Sequence, residues 1–357
     1  MNKFAFPPDM GQRWMLHMRR GDFATAWQLS DIVLRARRAI RCEHLPRHLQ
    51  WIWDGRSLEG KRVVIRCYHG LGDTVHFIRY APLVRAMAAE VTVLAQSELL
   101  PLLSWVSGID RLFPLERGET GLDYDVDVEV MELPHVFRTT LESIPAQIPY
   151  IDPSNAVDGD VQLPFLDLRS WRSERERSGG AGARLVRDKL TVGIVWAAGD
   201  WDPRRSIPIS LLAPLANVAG VELQIFQVGA ALTEPREWHA IIPRWNDIVM
   251  EAMLIRDLDL MISIDSLPAH LAGALGVPVW TLLQKEADWR WMERRNDSPW
   301  YPTMRLFRQE RPGEWPPVIA AVANELAKVT SARSATPFTS QLSTFSPQRS
   351  AADILAR

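Results

Sequence analysis

The segment RVVIRCYHGLGDTVHFIRYAPLVRA, residues 62–86, contains the pattern that decides the fold. It begins with a continuous β-branched run at 62–68 and turns through Gly-Leu-Gly-Asp into a helical stretch at 74–89. A second strand, VTVLAQ at 91–96, and a Leu-rich helix follow before RLFPL at 111–115. Strands that alternate with helices predict right-handed βαβ units around a parallel sheet.

A second series of the same kind follows after residue 190. The further strand-like runs are YDVDVEVMEL (124–133), TVGIVWA (191–197), ELQIFQVG (222–229), DLMISI (259–264), PVWTLL (278–283) and MRLFRQ (304–309). Helical stretches are predicted at 210–218, 269–275 and 315–329. Two such series predict an α/β protein with two Rossmann-like domains facing a cleft, and ligands in these sheets bind beyond the carboxyl ends of the strands.

Length and composition support this class and exclude others. The 357 residues favour two domains, and 47% hydrophobic with 24% charged residues is typical of a globular chain. A net charge of −2 gives no overall attraction for nucleic acid, and Cys42 and Cys67 are too few for a disulfide framework or a cysteine zinc site. No apolar run reaches about 18 residues and the N-terminus lacks a secretory pattern, so we expect a cytoplasmic protein without a membrane span.

Composition divides the chain into five parts. We predict a helical extension, a first Rossmann-like domain, a charged Gly-rich linker, a second Rossmann-like domain and a disordered Ser/Thr-rich tail, at 1–60, 61–165, 166–189, 190–330 and 331–357. The extension carries eight arginines against three acidic residues between Arg13 and Arg47. Two interpretations stay open for it: a solvated helical hairpin, or a basic surface that docks on an anionic membrane or acceptor.

Gly70-Leu71-Gly72-Asp73, directly after the first strand, is the first candidate site. Glycines allow the backbone to approach a ligand closely, and a helix N-terminus presents unpaired N–H groups. The carboxylate of Asp73 at this corner could take a proton from an acceptor hydroxyl. It could equally cap the helix, a role that Asp fills readily.

Asp265, Ser266 and His270 form the second candidate site, at the point where the strand 259–264 ends and a helix begins. The helix N-terminus and Ser266 suit the anionic oxygens of a diphosphate. His270 lies in the first helical turn, where it could contact phosphate or sugar, although a structural histidine is an equal alternative.

Two further sets follow strand ends in the second series. Arg204 and Arg205, in the loop WDPRRS that begins with Trp201, suit a departing diphosphate because guanidinium binds phosphate oxygens bidentately. Gln227 and Gly229 end the next strand and are candidates for the wall of the same pocket. A solvated loop is the alternative for the arginines.

Tryptophan is unusually frequent, with 15 residues in the chain, of which five lie between Trp280 and Trp315. Lys285, Asp288 and Arg290 are interleaved with these aromatics in KEADWRW. Such a segment could stack on a base or sugar, or close the rim of the cleft, and both alternatives stay open. The chain lacks the P-loop, GxSxG, HExxH and CxxC motifs, which argues against a standard P-loop, an α/β-hydrolase and a catalytic metal.

Five blocks of this sequence resemble glycosyltransferase family 9, the heptosyltransferase-like group, and in particular the branch that carries tetratricopeptide repeats. They are GLGDTVHFIRYAPLVRA (70–86), TLESIPAQIPYI (140–151), GIVWAAGDWDPRRSIPISLLAPL (193–215), ISIDSLPAHLAGALGVPVWTLL (262–283) and DWRWMERRNDSPWYPTMRLFRQ (288–309). The resemblance runs from about Lys61 to Val329. It implies that the helical extension is the remnant of a repeat array.

The resemblance also implies a GT-B fold and an inverting, metal-independent transfer from a nucleotide-diphosphate sugar, without a resident cofactor. Asp73 matches the presumed base of the family, and its donor-binding positions match a set in this chain: Gly72, Arg204, Arg205, Gln227, Gly229, Asp265, Ser266 and His270. Residues assigned to the acceptor side or the rim are His76, Lys285, Asp288 and Arg290. The implied acceptor is a glycan or lipid-linked molecule of the cell envelope, such as lipopolysaccharide, with peripheral contact at the inner membrane.

This sequence departs from the family at two places. Leu267-Pro268 replaces the usual Gly-Leu after the Asp-Thr/Ser pair, and His69 stands where the repeat-bearing branch has Gln or Glu. The sugar, possibly a heptose, and the nucleotide therefore stay open. A non-catalytic GT-B-like module that binds a glycan or protein, and a nucleotide-sugar epimerase, are the alternatives to a transferase.

Overall fold

A computed structural model of the chain describes residues 8–37, 40–117, 121–155, 188–199 and 202–335. Most of the predicted linker at 166–189, together with Trp201 and the tail beyond residue 335, lies outside the described residues. The described residues form two halves, each built on a parallel sheet. This confirms the predicted α/β class and the two facing Rossmann-like sheets of a GT-B arrangement.

The first half contains a four-stranded sheet in the order β3-β2-β1-β4. Its strands are β1 (Arg62–Arg66), β2 (Glu90–Ala95), β3 (Arg111–Pro114) and β4 (Val126–Glu129). All three pairings are parallel, so the carboxyl ends of the strands share one edge. The strands are almost wholly buried and β-branched, as expected for a sheet covered by helices.

The second half contains a five-stranded parallel sheet in the order β6-β5-β7-β8-β9. Its strands are β5 (Leu190–Val195), β6 (Val221–Ile225), β7 (Leu260–Ile264), β8 (Val279–Leu283) and β9 (Met304–Arg308). The strand β6 lies on one side of β5, and β7 to β9 follow on its other side, so the strand order reverses between β5 and β7. Such a switch point places a crevice at the carboxyl edge of the sheet. Each strand was predicted from its sequence run, and the predicted ends differ from the observed ones by at most four residues.

The helices cover these sheets and supply the residues of the cleft. They are α1 (Pro8–Arg20), α2 (Phe23–Arg37), α3 (Leu71–Phe77), α4 (Ala81–Met87), α5 (Leu100–Leu103), α6 (Leu133–Val136), α7 (Ala213–Ala216), α8 (Ile248–Arg256), α9 (Leu267–Ala274) and α10 (Trp315–Ala335). The single helix predicted at 74–89 is wrong, because a 3-10 turn at Ile78–Tyr80 separates α3 from α4. Pro82 restarts the helix in the first turn of α4, where its missing N–H costs no hydrogen bond.

One helix and one helix end differ from the sequence prediction. The sequence pattern missed α8, which Asp247 caps by accepting a hydrogen bond from the backbone N–H of Met250 at 2.8 Å. The tail predicted from residue 331 is wrong at its start, since α10 continues to Ala335, and the rest of that prediction lies outside the described residues. Ser331 donates its hydroxyl to the carbonyl of Ala327, one turn earlier in this helix, at 2.8 Å.

The N-terminal hairpin of α1 and α2 is packed against both halves, so the interpretation as a solvated hairpin is wrong. Phe23 is 1% exposed and meets the rings of Trp289 and Trp300 at centroid distances of 6.2 and 6.1 Å. Trp27 donates its indole N–H to the carbonyl of Thr139 in the first half at 2.7 Å. The hairpin therefore bridges residues of the first half and the aromatic segment of the second.

Charged contacts fix the hairpin to the first half. Asp31 accepts from His135 Nε2 at 2.9 Å and from both terminal nitrogens of Arg138 at 2.7 and 3.0 Å. Arg37 pairs with Glu132 at 2.7 Å. Some of the basic charge that suggested a membrane dock is thus committed to internal ion pairs.

None of the helices that the structure describes is both long and apolar enough to cross a membrane.

Candidate functional site

The N-terminal turns of the helices α3 and α9, which come from different halves, are in close contact. A Cβ added at Gly72 would lie 3.1 Å from Cδ2 of His270 and 3.7 Å from Cα of Leu267. Only a residue without a side chain allows two helices from different halves to approach this closely. Gly72, predicted to bind the donor, therefore also has a packing role at the seam between the halves.

Asp73 lies at this seam and is half accessible, with 23% of its side chain exposed. It occupies the third position of α3, and its Oδ2 accepts a hydrogen bond from the backbone N–H of Gly70 at 3.1 Å. Its Oδ1 accepts from Nη2 of Arg290 at 2.8 Å. Capping and ion pairing thus both occur in a side chain that keeps part of its surface exposed.

Arg290 crosses the cleft from the second half to reach Asp73. Its side chain is 8% exposed and its Nε lies 3.0 Å from Oδ1 of Asp288, close enough for an ion pair although no aligned hydrogen bond forms. Its guanidinium also lies over the ring of Phe77, 5.4 Å from the centroid. Burial raises the pKa of the Asp288 carboxyl, while the charge of Arg290 lowers it less strongly.

Asp265 and Ser266 lie at the start of α9, as predicted. Ser266 occupies the N-cap position without a side-chain capping bond, and its hydroxyl lies 3.1 Å from that of Ser263. Burial raises the pKa of Asp265, but its contact with His270 and the charges of His270 and Arg290 lower it by more, so the net shift is downward. The carboxylate is therefore held ionised beside the helix N-terminus.

His270 is 2% exposed and belongs to a buried polar cluster at the seam. Its Nε2 lies 3.6 Å from Oδ1 of Asp265, and its ring stacks on Trp291 at 5.3 Å. Its Nδ1 lies 3.0 Å from the hydroxyl of Tyr301. Burial lowers the pKa of His270, so the imidazole is neutral near pH 7.

His76, predicted to lie on the acceptor side or at the rim, is placed inside the seam between the halves. The residue is 0% exposed, and its Nδ1 lies 3.0 Å from the hydroxyl of Tyr301 and 3.3 Å from Nδ1 of His270. Burial and the charge of Arg79 lower its pKa well below the usual value. Its place three residues after Asp73 on α3 turns it into the seam instead of outward.

The two loop arginines have different surroundings. Arg204 is exposed and forms a fork with Asp202, with Nε–Oδ1 and Nη2–Oδ2 distances of 2.8 and 3.0 Å. Arg205 is half buried and donates from Nη1 to the backbone carbonyl of Asp265 at 2.8 Å. Arg205 therefore reaches the α9 site directly, whereas Arg204 is held at its edge.

Gln227 uses its amide within the protein. Its Oε1 accepts from the backbone N–H groups of Trp196 and Ala197 at 3.1 and 2.8 Å, and its Nε2 donates to the carbonyls of Ala197 and Val228. With 5% exposure, its side chain ties the ends of β5 and β6 together. Its contact with the donor stays a prediction, and Gly229 (φ 74°) turns the chain just beyond it.

The aromatic segment forms the interior of the seam. Trp289, Trp291, Trp300 and Tyr301 are each at most 5% exposed. They are unavailable to stack on a base and do not close a rim, so both alternatives from the sequence are corrected. Lys285 is exposed and Asp288 is partly exposed in the segment that follows β8, and their place at the rim stays a prediction.

Sequence reasoning missed a buried pair beside Asp73. Glu129, 2% exposed, accepts from Nδ1 of His69 at 3.0 Å and from the backbone N–H of Met131 at 2.6 Å. Burial lowers the pKa of His69, but the hydrogen bond to Glu129 and its charge raise it by more, so the net pKa is raised. The alternating acidic residues around β4 were visible in the sequence, but the sequence did not show that Glu129 pairs with His69.

Arg79 was missed as well. It is 3% exposed and donates to the carbonyls of His76 and Trp300 and to the hydroxyl of Tyr150. Its guanidinium lies 4.3 Å from the ring centroid of Tyr301.

Within the described residues, no cluster of three or more His, Cys, Asp or Glu side chains is arranged to hold a metal ion.

No family model matches the chain. Among curated proteins, it is similar to Protein FlbA of Caulobacter vibrioides, with 25% identity over 306 residues that cover 77% of this chain and 48% of FlbA. The chain thus spans about half the length of the curated relative it matches.

Solved structures with a similar fold include a glycosyl transferase family 9 protein from Veillonella parvula, at 15% identity and a TM-score of 0.46, covering 71% of this chain and 87% of that one. Another is the ADP-heptose LPS heptosyltransferase II of E. coli, at 14% identity and a TM-score of 0.47, covering 76% of this chain and 99% of that one. Both proteins are named as glycosyltransferases, the class that the sequence blocks resemble.

Proposed function

We propose that this protein is an inverting glycosyltransferase that moves a sugar from a nucleotide-diphosphate donor to an acceptor hydroxyl. The observation that carries the proposal is the placement of Asp73 in the cleft, opposite the N-terminus of α9. A carboxylate opposite an anion-binding helix end is what a single displacement requires: a base on the acceptor side and charge stabilisation on the leaving-group side.

On the acceptor side, Asp73 accepts the hydroxyl proton as the acceptor oxygen attacks the anomeric carbon. The sugar–phosphate bond breaks at the same time, and the nucleoside diphosphate leaves with the bonding electrons. Arg290 holds Oδ1 of Asp73, while the backbone N–H of Gly70 holds Oδ2, so the carboxylate is oriented before the acceptor arrives. This pre-orientation lowers the barrier by limiting reorganisation during the reaction.

On the donor side, the free N–H groups at the start of α9 and the side chain of Ser266 are suited to the diphosphate. Arg205 is anchored on the carbonyl of Asp265 and adds a cation next to this helix end. His270 adds a neutral imidazole N–H. Stabilisation of the leaving group by these donors is consistent with a reaction that needs no metal.

The substrate classes follow from the resemblance and from the relatives. We propose a nucleotide-diphosphate sugar as the donor. ADP-heptose is the first to test, because one of the proteins with a similar fold is named as an ADP-heptose transferase. The proposed acceptor is a glycan or lipid-linked molecule of the cell envelope, met at the cytoplasmic side of the inner membrane. The exposed arginines of the hairpin would support peripheral contact with that surface.

Thermal stabilisation by a panel of nucleotide-diphosphate sugars tests the donor site. We expect one donor to raise the melting temperature by mass action, and calorimetry with it to give an affinity that His270→Ala weakens several-fold. His239→Ala, an exposed histidine of the same half, is the control and should bind as the wild type does. A panel without any stabilising donor would contradict the proposal, and binding without turnover would favour the non-catalytic module.

A further inference from the structure

Three polar rings meet without water access at the seam between the halves. The hydroxyl of Tyr301 lies 3.0 Å from Nδ1 of His76 and 3.0 Å from Nδ1 of His270. The two Nδ1 atoms are 3.3 Å apart. His76 comes from α3 of the first half, whereas His270 and Tyr301 belong to the second half. The cluster therefore exists only when the halves are together.

The protons in this cluster are constrained by counting donors and acceptors. Each neutral imidazole has one N–H and one lone pair, and a tyrosine hydroxyl has a single proton to donate. The neighbouring hydroxyl of Tyr150 donates to the carbonyl of Val75 at 2.9 Å and accepts from Arg79 at 3.0 Å. Tyr150 thus has no proton left for Tyr301. Tyr301 can donate to the hydroxyl oxygen of Tyr150 at 3.3 Å or to Nδ1 of either histidine at 3.0 Å, and the shorter distances favour a histidine.

The buried environment of His76 decides the direction. Its Nε2 is buried and has no hydrogen-bond partner in the part of the chain that the structure describes. An orphaned N–H is rarer in folded proteins than an unsatisfied acceptor, so the lone pair belongs at Nε2 and the proton at Nδ1. His76 then donates from Nδ1 to Tyr301, and Tyr301 donates to Nδ1 of His270.

This order leaves the proton of His270 on Nε2. That nitrogen faces Oδ1 of Asp265 at 3.6 Å, which is longer than a hydrogen bond. The N–H is aimed at the start of α9 but is not fully engaged within the protein.

We propose that Tyr301 and His76 are positioning residues that fix His270 as the Nε2–H tautomer, with this N–H directed at an oxygen of the sugar donor. The chain His76–Tyr301–His270 joins the acceptor half to the donor half through hydrogen bonds of one polarity. Its role in donor binding rests on the proposed function, but the tautomer itself does not. Gly273 supports the arrangement, since a Cβ there would lie 2.5 Å from the Tyr301 ring.

Nitrogen-15 NMR of the intact chain labelled at histidine tests the tautomers without any donor. We expect opposite states: His76 protonated at Nδ1 with a free Nε2, and His270 protonated at Nε2 with Nδ1 as acceptor. Asparagine substitution of each histidine in turn assigns the signals. The same tautomer for both rings, or a proton on Nδ1 of His270, overturns the proposal whether or not the protein is a transferase.

Tyr301→Phe tests the functional part against Tyr150→Phe. Both variants remove one buried hydroxyl from the same cluster, but only Tyr301 contacts the two histidines. Without that hydroxyl the two Nδ1 atoms share one proton and His270 is no longer held in one tautomer, so we expect about tenfold weaker donor binding by calorimetry. Equal affinities for the two variants, with matched melting temperatures, would show that Tyr301 only packs. No donor binding in the wild type would count against the proposed function instead.

Discussion

At the scale of single residues, the cleft depends on positions where the two halves touch through few atoms. Gly72 allows His270 of the second half to pass over the first turn of α3. Asp73, the next residue, is held from below by a backbone N–H and from across the cleft by Arg290. These neighbouring residues thus act in different ways: Gly72 lets the halves approach because it has no side chain, and Asp73 binds across the cleft through its charge.

Gly72→Ala should therefore be costly. The added methyl group would lie 3.1 Å from the His270 ring, and relieving the contact requires the halves to separate or the ring to tilt. We expect a loss of about 1–3 kcal/mol in the free energy of unfolding, typical of overpacking. Denaturant titration measures it. Gly11→Ala, at a helical glycine with nothing within 4 Å, is the control and should be neutral or stabilising.

Glu251 predicts a pH dependence of stability. Burial raises its pKa from 4.5 to about 7 in the folded protein. Between these values the unfolded chain loses the proton while the folded chain keeps it, so Glu251 favours unfolding increasingly as the pH rises. The full effect, reached above pH 7, is at most about 3 kcal/mol.

Glu251→Gln removes this titration. Its stability relative to the wild type should increase from pH 4.5 to pH 8, as measured by urea unfolding at several pH values. Glu222→Gln, a more exposed carboxylate in the same half, is the control and should follow the wild-type profile. A constant difference between Glu251→Gln and the wild type across this range would show that Glu251 is ionised in the folded state.

At the scale of elements, the α1–α2 hairpin sets the position of the segment that carries Arg290. Trp14 and Phe23 both meet the ring of Trp289, at centroid distances of 5.9 and 6.2 Å. Trp289 in turn stacks on Phe77 of α3 at 6.0 Å. A helical extension that resembles a repeat remnant is thus part of the wall behind the candidate base.

Phe23→Ala tests this coupling. Loss of a fully buried aromatic ring should lower the free energy of unfolding by about 3–5 kcal/mol. Because the ring supports Trp289 and Trp300, we also expect slower transfer in the folded fraction, measured well below the melting temperature. Ile32→Ala is the control, because Ile32 of α2 is 43% exposed. If Phe23→Ala is as active per folded molecule as the control, the hairpin only stabilises the chain.

At the scale of the whole molecule, Arg290 links the two halves through its ion pair with Asp73, the proposed base. Arg290→Lys keeps the charge but loses the planar fork that reaches Asp73 and Asp288 together. We expect a fall in the turnover number larger than the change in the Michaelis constant for the donor, because Asp73 loses its orientation. Arg311→Lys, an exposed arginine that pairs with Glu314, is the control.

The sequence was sufficient for the sheets and for the residues at strand ends, because β-branched runs and Gly-Asp or Asp-Ser turns are local signals. It placed Asp73 and Asp265 at the carboxyl edges of β1 and β7. It could not predict that Arg290 meets Asp73, or that His76 meets His270, since those pairs lie 217 and 194 residues apart. The burial of the tryptophans was also hidden, because aromatic residues suit a binding surface and a core equally well.

The measurement that tests the central claim most directly is the transfer rate of Asp73→Asn. Transfer from the donor that stabilises the wild type is followed by release of nucleoside diphosphate, with lipopolysaccharide core oligosaccharide as the acceptor and Asp54→Asn as an exposed control. We expect Asp73→Asn to lose about 10²- to 10⁴-fold in turnover, the worth of a general base, while its donor affinity changes only a few-fold. Turnover equal to that of the wild type would contradict Asp73 as the base.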